Sequence, residues 1–186
     1  LLTTRQCLLH KNRNPTLSQA QIEEKLKDHL GVRHVLWLGD GIEGDDTDGH
    51  VDDIARFVAP GVVVAAVEDD ASDANHKPLD DNLRLLRSMK DQDGQPLTVV
   101  ELPMPGTLLD DEGERLPASY ANFYVGNASV ILPVFGHAND ARATEIVQKL
   151  FPTRKVVPIR ADDLVFGMGT FHCVTQQQPL GVVSTP

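Results

Sequence analysis

The stretch His50-Val51-Asp52-Asp53-Ile54-Ala55-Arg56-Phe57-Val58, followed by Pro60-Gly61 and Val62-Val63-Val64-Ala65-Ala66-Val67, decides the fold. Val51 to Val58 carries β-branched and aromatic positions and reads as a strand. Pro60-Gly61 is a turn signal. The uninterrupted apolar run Val62 to Val67 reads as a second, buried strand. An acidic loop follows. Leu79, Leu83, Leu86 and Met89 then fall at helical spacing, which predicts a helix from about Leu79 to Met89. Asp93-Gly94 stops that segment, and Leu97 to Leu102 supplies another strand. The order is hairpin, helix, strand.

The same order recurs on both sides. C-terminally, Tyr120 to Val125 reads as a strand and Gly126-Asn127 as a turn. Val130-Ile131-Leu132 returns, and Pro133 ends the strand. Asp140 opens a helix through Leu150 with Ala143, Ile146, Val147 and Leu150 on one face. Val156 to Ile159 closes the copy. N-terminally, Leu1 to Leu9 reads as one hairpin arm. Ser18 is placed to cap a helix that runs to Leu30, with Gly31 as its stop. Val35 to Leu38 is the strand after it. A fourth copy begins at Phe171. One supersecondary unit repeated in this way implies stacked or radially arranged units in an α+β domain.

With 186 residues, of which 41% are hydrophobic, the chain can bury a sizeable core. Seventeen basic against 27 acidic residues leave a net charge of −10. That balance argues against nucleic acid as a partner and suits a small cationic one. No apolar run approaches the roughly 20 residues that span a bilayer, so no membrane partner is expected. Two cysteines are too few for a disulfide framework and fit a reducing, cytoplasmic setting. Cys7, beside Leu8-Leu9, reads as a core residue. Leu1 opens inside an apolar stretch, so a preceding segment is expected.

Two segments are polar where strands should be starting. One is Gly44-Asp45-Asp46-Thr47-Asp48-Gly49-His50-Val51-Asp52-Asp53. On a strand, His50 and Asp52 point to the same face. A histidine beside a carboxylate can exchange protons near neutral pH, and the carboxylate can hold a planar cation. A solvated or calcium-binding acidic loop is the alternative, although the EF-hand spacing is not met. The other segment runs Gly167-Met168-Gly169-Thr170-Phe171-His172-Cys173-Val174-Thr175-Gln176-Gln177-Gln178-Pro179. Its glycines allow close approach of backbone to a ligand, and Cys173 is the candidate nucleophile. A zinc site from His50, Asp52, His172 and Cys173 is the rival, without a recognised zinc spacing. His172 should point to the opposite strand face from Cys173 and reads as structural.

These residues carry a resemblance. The segment from Trp37-Leu38-Gly39-Asp40 to His50-Val51-Asp52 resembles the central motif of the agmatine deiminases, in the bacterial-type peptidylarginine deiminase family. Ala118-Ser119-Tyr120-Ala121-Asn122-Phe123-Tyr124 and His172-Cys173-Val174-Thr175-Gln176-Gln177-Gln178-Pro179 resemble two further blocks of that family. Leu1-Leu2-Thr3-Thr4 and Asn12-Arg13-Asn14-Pro15 also fit. The resemblance spans the chain and identifies it with the C-terminal half of such a protein. It implies a pentein α/β-propeller of five ββαβ units, of which roughly half the ring is present in a single catalytic domain.

The resemblance further implies hydrolysis of agmatine to N-carbamoylputrescine and ammonia with neither metal nor cofactor. Cys173 would attack the guanidinium carbon, Asp52 would hold its nitrogens, and His50 would move the protons. Asp46, Thr47 and Gly169 would join Asp52 in binding substrate. The family's cysteine loop is a run of glycines followed by Asn or Ser, whereas this one reads Gly167-Met168-Gly169-Thr170. The resemblance also implies a second guanidinium-binding Asp and an acidic partner in an N-terminal half that this sequence does not include. Peptidyl-arginine as substrate, or a non-catalytic half-ring that binds a partner, are the other readings, and self-association stays open.

Overall fold

The structure, a computed structural model, describes residues 1–178. Along the chain run β1 (Leu2–Thr4), α1 (Arg5–Leu8), α2 (Gln19–Leu30), β2 (Leu36–Leu38), β3 (Ala55–Ala59), β4 (Val62–Val67), α3 (His76–Ser88), β5 (Thr98–Pro103), β6 (Tyr124–Val125), β7 (Ser129–Val134), α4 (Asp140–Leu150) and β8 (Lys155–Arg160). Short 3-10 turns cover Val51–Asp53 and Val165–Gly167. The class is α+β, as expected.

Two units share one topology. In each, a hairpin is followed by a helix that carries the chain over to a parallel strand: β3-β4-β5 with α3, and β6-β7-β8 with α4. A parallel neighbour cannot be reached by a tight turn, so the helix is the required connection. Each helix buries an apolar stripe. Leu79, Leu83 and Leu86 are the buried apolar residues of α3, and Ala143 and Val147 those of α4. The central strands are covered on both faces, with Val63, Val64, Val130 and Leu132 fully buried.

The N-terminal region departs from the expected hairpin arm. Only Leu2–Thr4 is extended, and it pairs in parallel with β2. Thr4 then caps α1, its hydroxyl accepting from the Cys7 amide at 3.1 Å. Cys7 is buried, as expected. Ser18 caps α2 through a capping box, and Gly31 ends it in the left-handed region at φ 66°. The strand expected over Val51 to Val58 begins only at Ala55, and that over Tyr120 to Val125 shrinks to Tyr124–Val125. The fourth copy does not start as a strand: residues 171–174 form a turn, 175–178 have no regular structure, and the rest of that copy lies outside the described residues.

Side chains couple the units. The Asn82 amide on α3 accepts from Gly39 N at 2.8 Å and donates to Asp40 O at 2.7 Å, which ties the end of β2 to the next helix. Arg56 on β3 donates to Phe123 O at 2.6 Å and stacks over the Phe123 ring at 4.7 Å. Both links cross from one unit to its neighbour, beside the loops that matter below.

Candidate active site

The first loop is built by one carboxylate and three left-handed residues. Gly44, Asp48 and Gly49 have φ of 86°, 66° and 79°. A side chain at Gly49 would collide with Gln6, so only glycine fits this turn. Asp45 accepts from the Thr47 amide and the His50 amide, both at 2.8 Å, and from the Thr47 hydroxyl. The acidic loop is therefore not a solvated charge run: Asp45 is spent on backbone donors. Thr4 clamps the loop from below, its hydroxyl donating to Gly49 O at 2.5 Å.

His50 flanks the 3-10 turn Val51–Asp53 rather than lying on a strand. Side chains do not alternate between two faces in a 3-10 turn, so His50 and Asp52 do not share a strand face as expected. Both side chains nonetheless border one cavity of about 700 Å³, with Asp46, Thr47, His172 and Cys173. Gly169 does not border it. Instead a Cβ there would stand 2.6 Å from the Cys173 sulfur, so the glycine makes room for the thiol.

Cys173 sits in the turn 171–174, with Val174 N donating to Thr170 O at 3.2 Å and Thr175 N to His172 O at 3.1 Å. In a turn, neighbouring side chains need not point to opposite sides. His172 accordingly faces the cavity, with Nδ1 2.6 Å from Asp52 Oδ2. The reading of His172 as a purely structural residue on the far face is thus corrected. Asp52 Oδ2 also lies 3.4 Å from Cys173 Sγ. His50 faces differently: Arg13 donates to His50 Nε2 at 3.0 Å and to Thr47 O at 2.6 Å. A guanidinium only donates, so Nε2 is the lone-pair nitrogen of a neutral imidazole.

The electrostatics are set by two adjacent carboxylates. Burial would raise the Asp52 carboxyl, but the His172 hydrogen bond and charge outweigh it and hold Asp52 below the usual carboxylate range. Asp53, only 2% exposed, is pushed well above that range by burial and by its neighbours Asp52 and Asp45. Burial, then the carboxylates of Asp52 and Asp53, push the Cys173 thiol up to about 12. A pocket of this kind keeps Cys173 protonated and attracts a cation.

Metal-ligating atoms of Asp52, Asp53 and Cys173 lie within 4.8 Å of one another. The Asn122 amide nitrogen stands among them, at 3.0 Å from Asp52 Oδ2, 2.8 Å from Asp53 Oδ1 and 3.0 Å from Cys173 Sγ. A cation bound to all three would have to displace that N–H donor, so the set suits hydrogen bonding better than coordination. Asn122 escaped the sequence reading as a site residue. Its signals were a polar side chain inside the run Tyr120 to Tyr124 and its place in the segment Ala118 to Tyr124 that carries the resemblance.

Repeated hairpin-helix-strand units with a thiol and a carboxylate pair at the loops joining them define the class of protein. The comparisons specify it. Residues 1–179 match the Porphyromonas-type peptidyl-arginine deiminase family, and the chain belongs to that family. A Legionella pneumophila protein provisionally named an agmatine deiminase is 44% identical over 96% of this chain and 51% of its own length. The agmatine deiminase of Pseudomonas aeruginosa is 40% identical over 96% of this chain and 53% of its own. A solved structure of the agmatine deiminase of Enterococcus faecalis superposes with a TM-score of 0.91 at 40% identity, covering 96% of this chain and 53% of that one. The chain spans about half the length of the relatives it matches.

Proposed function

We propose that this chain is the cysteine-bearing half of an agmatine deiminase, a single pentein domain completed by a further segment, working in the cytoplasm. The observation that carries the reading is the approach of Asp52 Oδ2 to Cys173 Sγ at 3.4 Å, in a cavity that His50 also borders. A carboxylate so close to a thiol raises the cost of thiolate, and a cation bound against both groups offsets that cost. A guanidinium is such a cation, and its planar nitrogens match a carboxylate. Self-association, peptidyl-arginine and a non-catalytic role are outcomes for experiment.

Agmatine's guanidinium lies against Asp52, which leaves its carbon facing the sulfur. His50, a neutral base once Arg13 releases Nε2, takes the thiol proton, and the thiolate adds to the guanidinium carbon. The bond from that carbon to a terminal nitrogen breaks, and the nitrogen leaves as ammonia with the proton from His50. An amidino-thioether remains on Cys173. His50 next takes a proton from water, the hydroxide adds to the same carbon, and collapse expels the Cys173 sulfur. The added hydroxyl loses its proton to solvent, leaving the carbonyl of N-carbamoylputrescine, and His50 returns its proton to the Cys173 sulfur. Asp46 and Thr47 border the cavity and serve substrate binding; Gly169 serves it indirectly, through the space it leaves for Cys173.

The test uses this chain joined to the complementary half of the Pseudomonas aeruginosa relative, here called the joined protein. Mixed with agmatine and quenched in acid, it should carry an amidino adduct on the peptide containing Cys173. Cys173→Ala should show neither adduct nor ammonia release, and ammonia release by that variant would refute the assignment. Faster turnover of peptidyl-arginine than of agmatine would move the substrate but not the chemistry.

A further inference from the structure

We propose that Asn122 is the positioning residue of the nucleophile: its carbonyl oxygen gathers the loop that carries Cys173, and its amide nitrogen presents a donor to the sulfur. The inference rests on the reading of Cys173 as nucleophile. Asn122 is fully buried, two residues before β6. Its Oδ1 accepts from Thr170 N at 3.2 Å, Thr170 Oγ1 at 2.9 Å, His172 N at 3.1 Å and Cys173 N at 3.3 Å. These donors fix the orientation of the amide, because the reversed amide would set NH₂ against N–H groups.

The other end then has two hydrogens for three acceptors: Cys173 Sγ, Asp52 Oδ2 and Asp53 Oδ1. The shortage has a chemical consequence. Asp52 competes with the sulfur for a hydrogen. A guanidinium that engages Asp52 frees the hydrogen for the sulfur, where negative charge develops. The bond from Asn122 pulls the Cys173 thiol down, against the burial and carboxylates that push it up. A carboxamide combines these roles in one side chain. Aspartate lacks the permanent donor, serine is too short to reach both the loop amides and the sulfur, and a cation would cancel the carboxylates.

The primary measurement is the rate of iodoacetamide alkylation of Cys173 in this chain against pH, read on its own peptide so that Cys7 does not contribute. Asn122→Ala and Asn122→Ser should move the midpoint up by about one pH unit and slow alkylation at pH 9 about tenfold. In the joined protein both variants should lower kcat at least about tenfold while KM stays within about threefold. A buried amide with a merely structural role would leave the alkylation profile unmoved, and that result would overturn the proposal. If the variants do not fold, wild-type protein decides. The Asn122 side-chain amide protons, followed by NMR, should shift with the same midpoint as Cys173 alkylation, and their failure to do so overturns the proposal equally. Ammonia release by Cys173→Ala would instead refute the nucleophile reading, whatever the Asn122 results.

Discussion

Two histidines compete for the role of proton carrier, and their contacts separate them. His172 is held by Asp52 at 2.6 Å, whereas His50 borders the cavity as a neutral imidazole facing Arg13. A histidine bound to Asp52, the carboxylate proposed to hold the guanidinium, can orient that carboxylate but is poorly placed to shuttle protons as well. In the joined protein, His50→Ala should lower kcat/KM for agmatine at least about a thousandfold, and His172→Ala about tenfold, chiefly through KM. Equal losses from both would mean that the roles are shared or exchanged. The thiol offers a second check at this scale. Because burial and the two carboxylates push Cys173 up, its thiolate fraction is small at neutral pH and grows as pH rises towards about 12. Alkylation of Cys173 in the chain without substrate should therefore still accelerate beyond pH 9. Asp52→Asn removes one opposing charge and should speed alkylation several-fold at pH 8 while abolishing deimination. If Asp52→Asn slowed alkylation, the field assigned to that carboxylate would have the wrong sign.

At the scale of elements, the loop from Gly44 to His50 is the piece on which the site depends. It contains neither helix nor strand, and its shape comes from Asp45 and the left-handed residues Gly44, Asp48 and Gly49. Hydrogen bonds to a charged acceptor contribute roughly 1.5–3 kcal/mol each, so the carboxylate is a strong local organiser. Asp45→Ala leaves the Thr47 and His50 amides without that acceptor while the hydrophobic clusters stay intact. In the joined protein it should lower kcat at least about tenfold and the thermal midpoint by only a few degrees. Thermal unfolding and ammonia release on the same preparation distinguish this from general unfolding. Full activity in Asp45→Ala would show that the loop is held from elsewhere.

At the scale of the molecule, the site lies where separate units meet. Asp52 and Asp53 precede the β3 hairpin, Asn122 precedes the β6 hairpin, and Cys173 follows β8. Such a junction needs every neighbouring unit in place to hold a small planar cation in line with the sulfur, and positioning supplies much of the rate. The chain covers about half of each relative, and among the described residues Asp52 stands 3.4 Å from the thiol. Ammonia release from agmatine should accordingly be at least about a hundredfold slower for the 186-residue chain alone than for the joined protein. Equal rates would show that the site is complete within this chain.

Much of this was legible in the sequence by itself. The α4 helix starts at Asp140 and ends at Leu150 as its apolar spacing required, and Ser18 and Gly31 bound α2 as their capping chemistry required. Periodicity and caps are local properties, so local residues determine them. The identities of Cys173, His50 and Asp52 as a constellation also came from the sequence, through spaced motifs. Tertiary structure alone decided how they stand. The turn at residues 171–174 and the 3-10 turn at Val51–Asp53 replaced the expected strands, which brought His172 onto Asp52 and removed Gly169 from the cavity wall. Asn122 acquired its importance only when three loops distant in sequence closed around one buried amide. The physical reason is that a loop's conformation is set by the partners its polar groups find across the fold, and no window of neighbouring residues contains those partners.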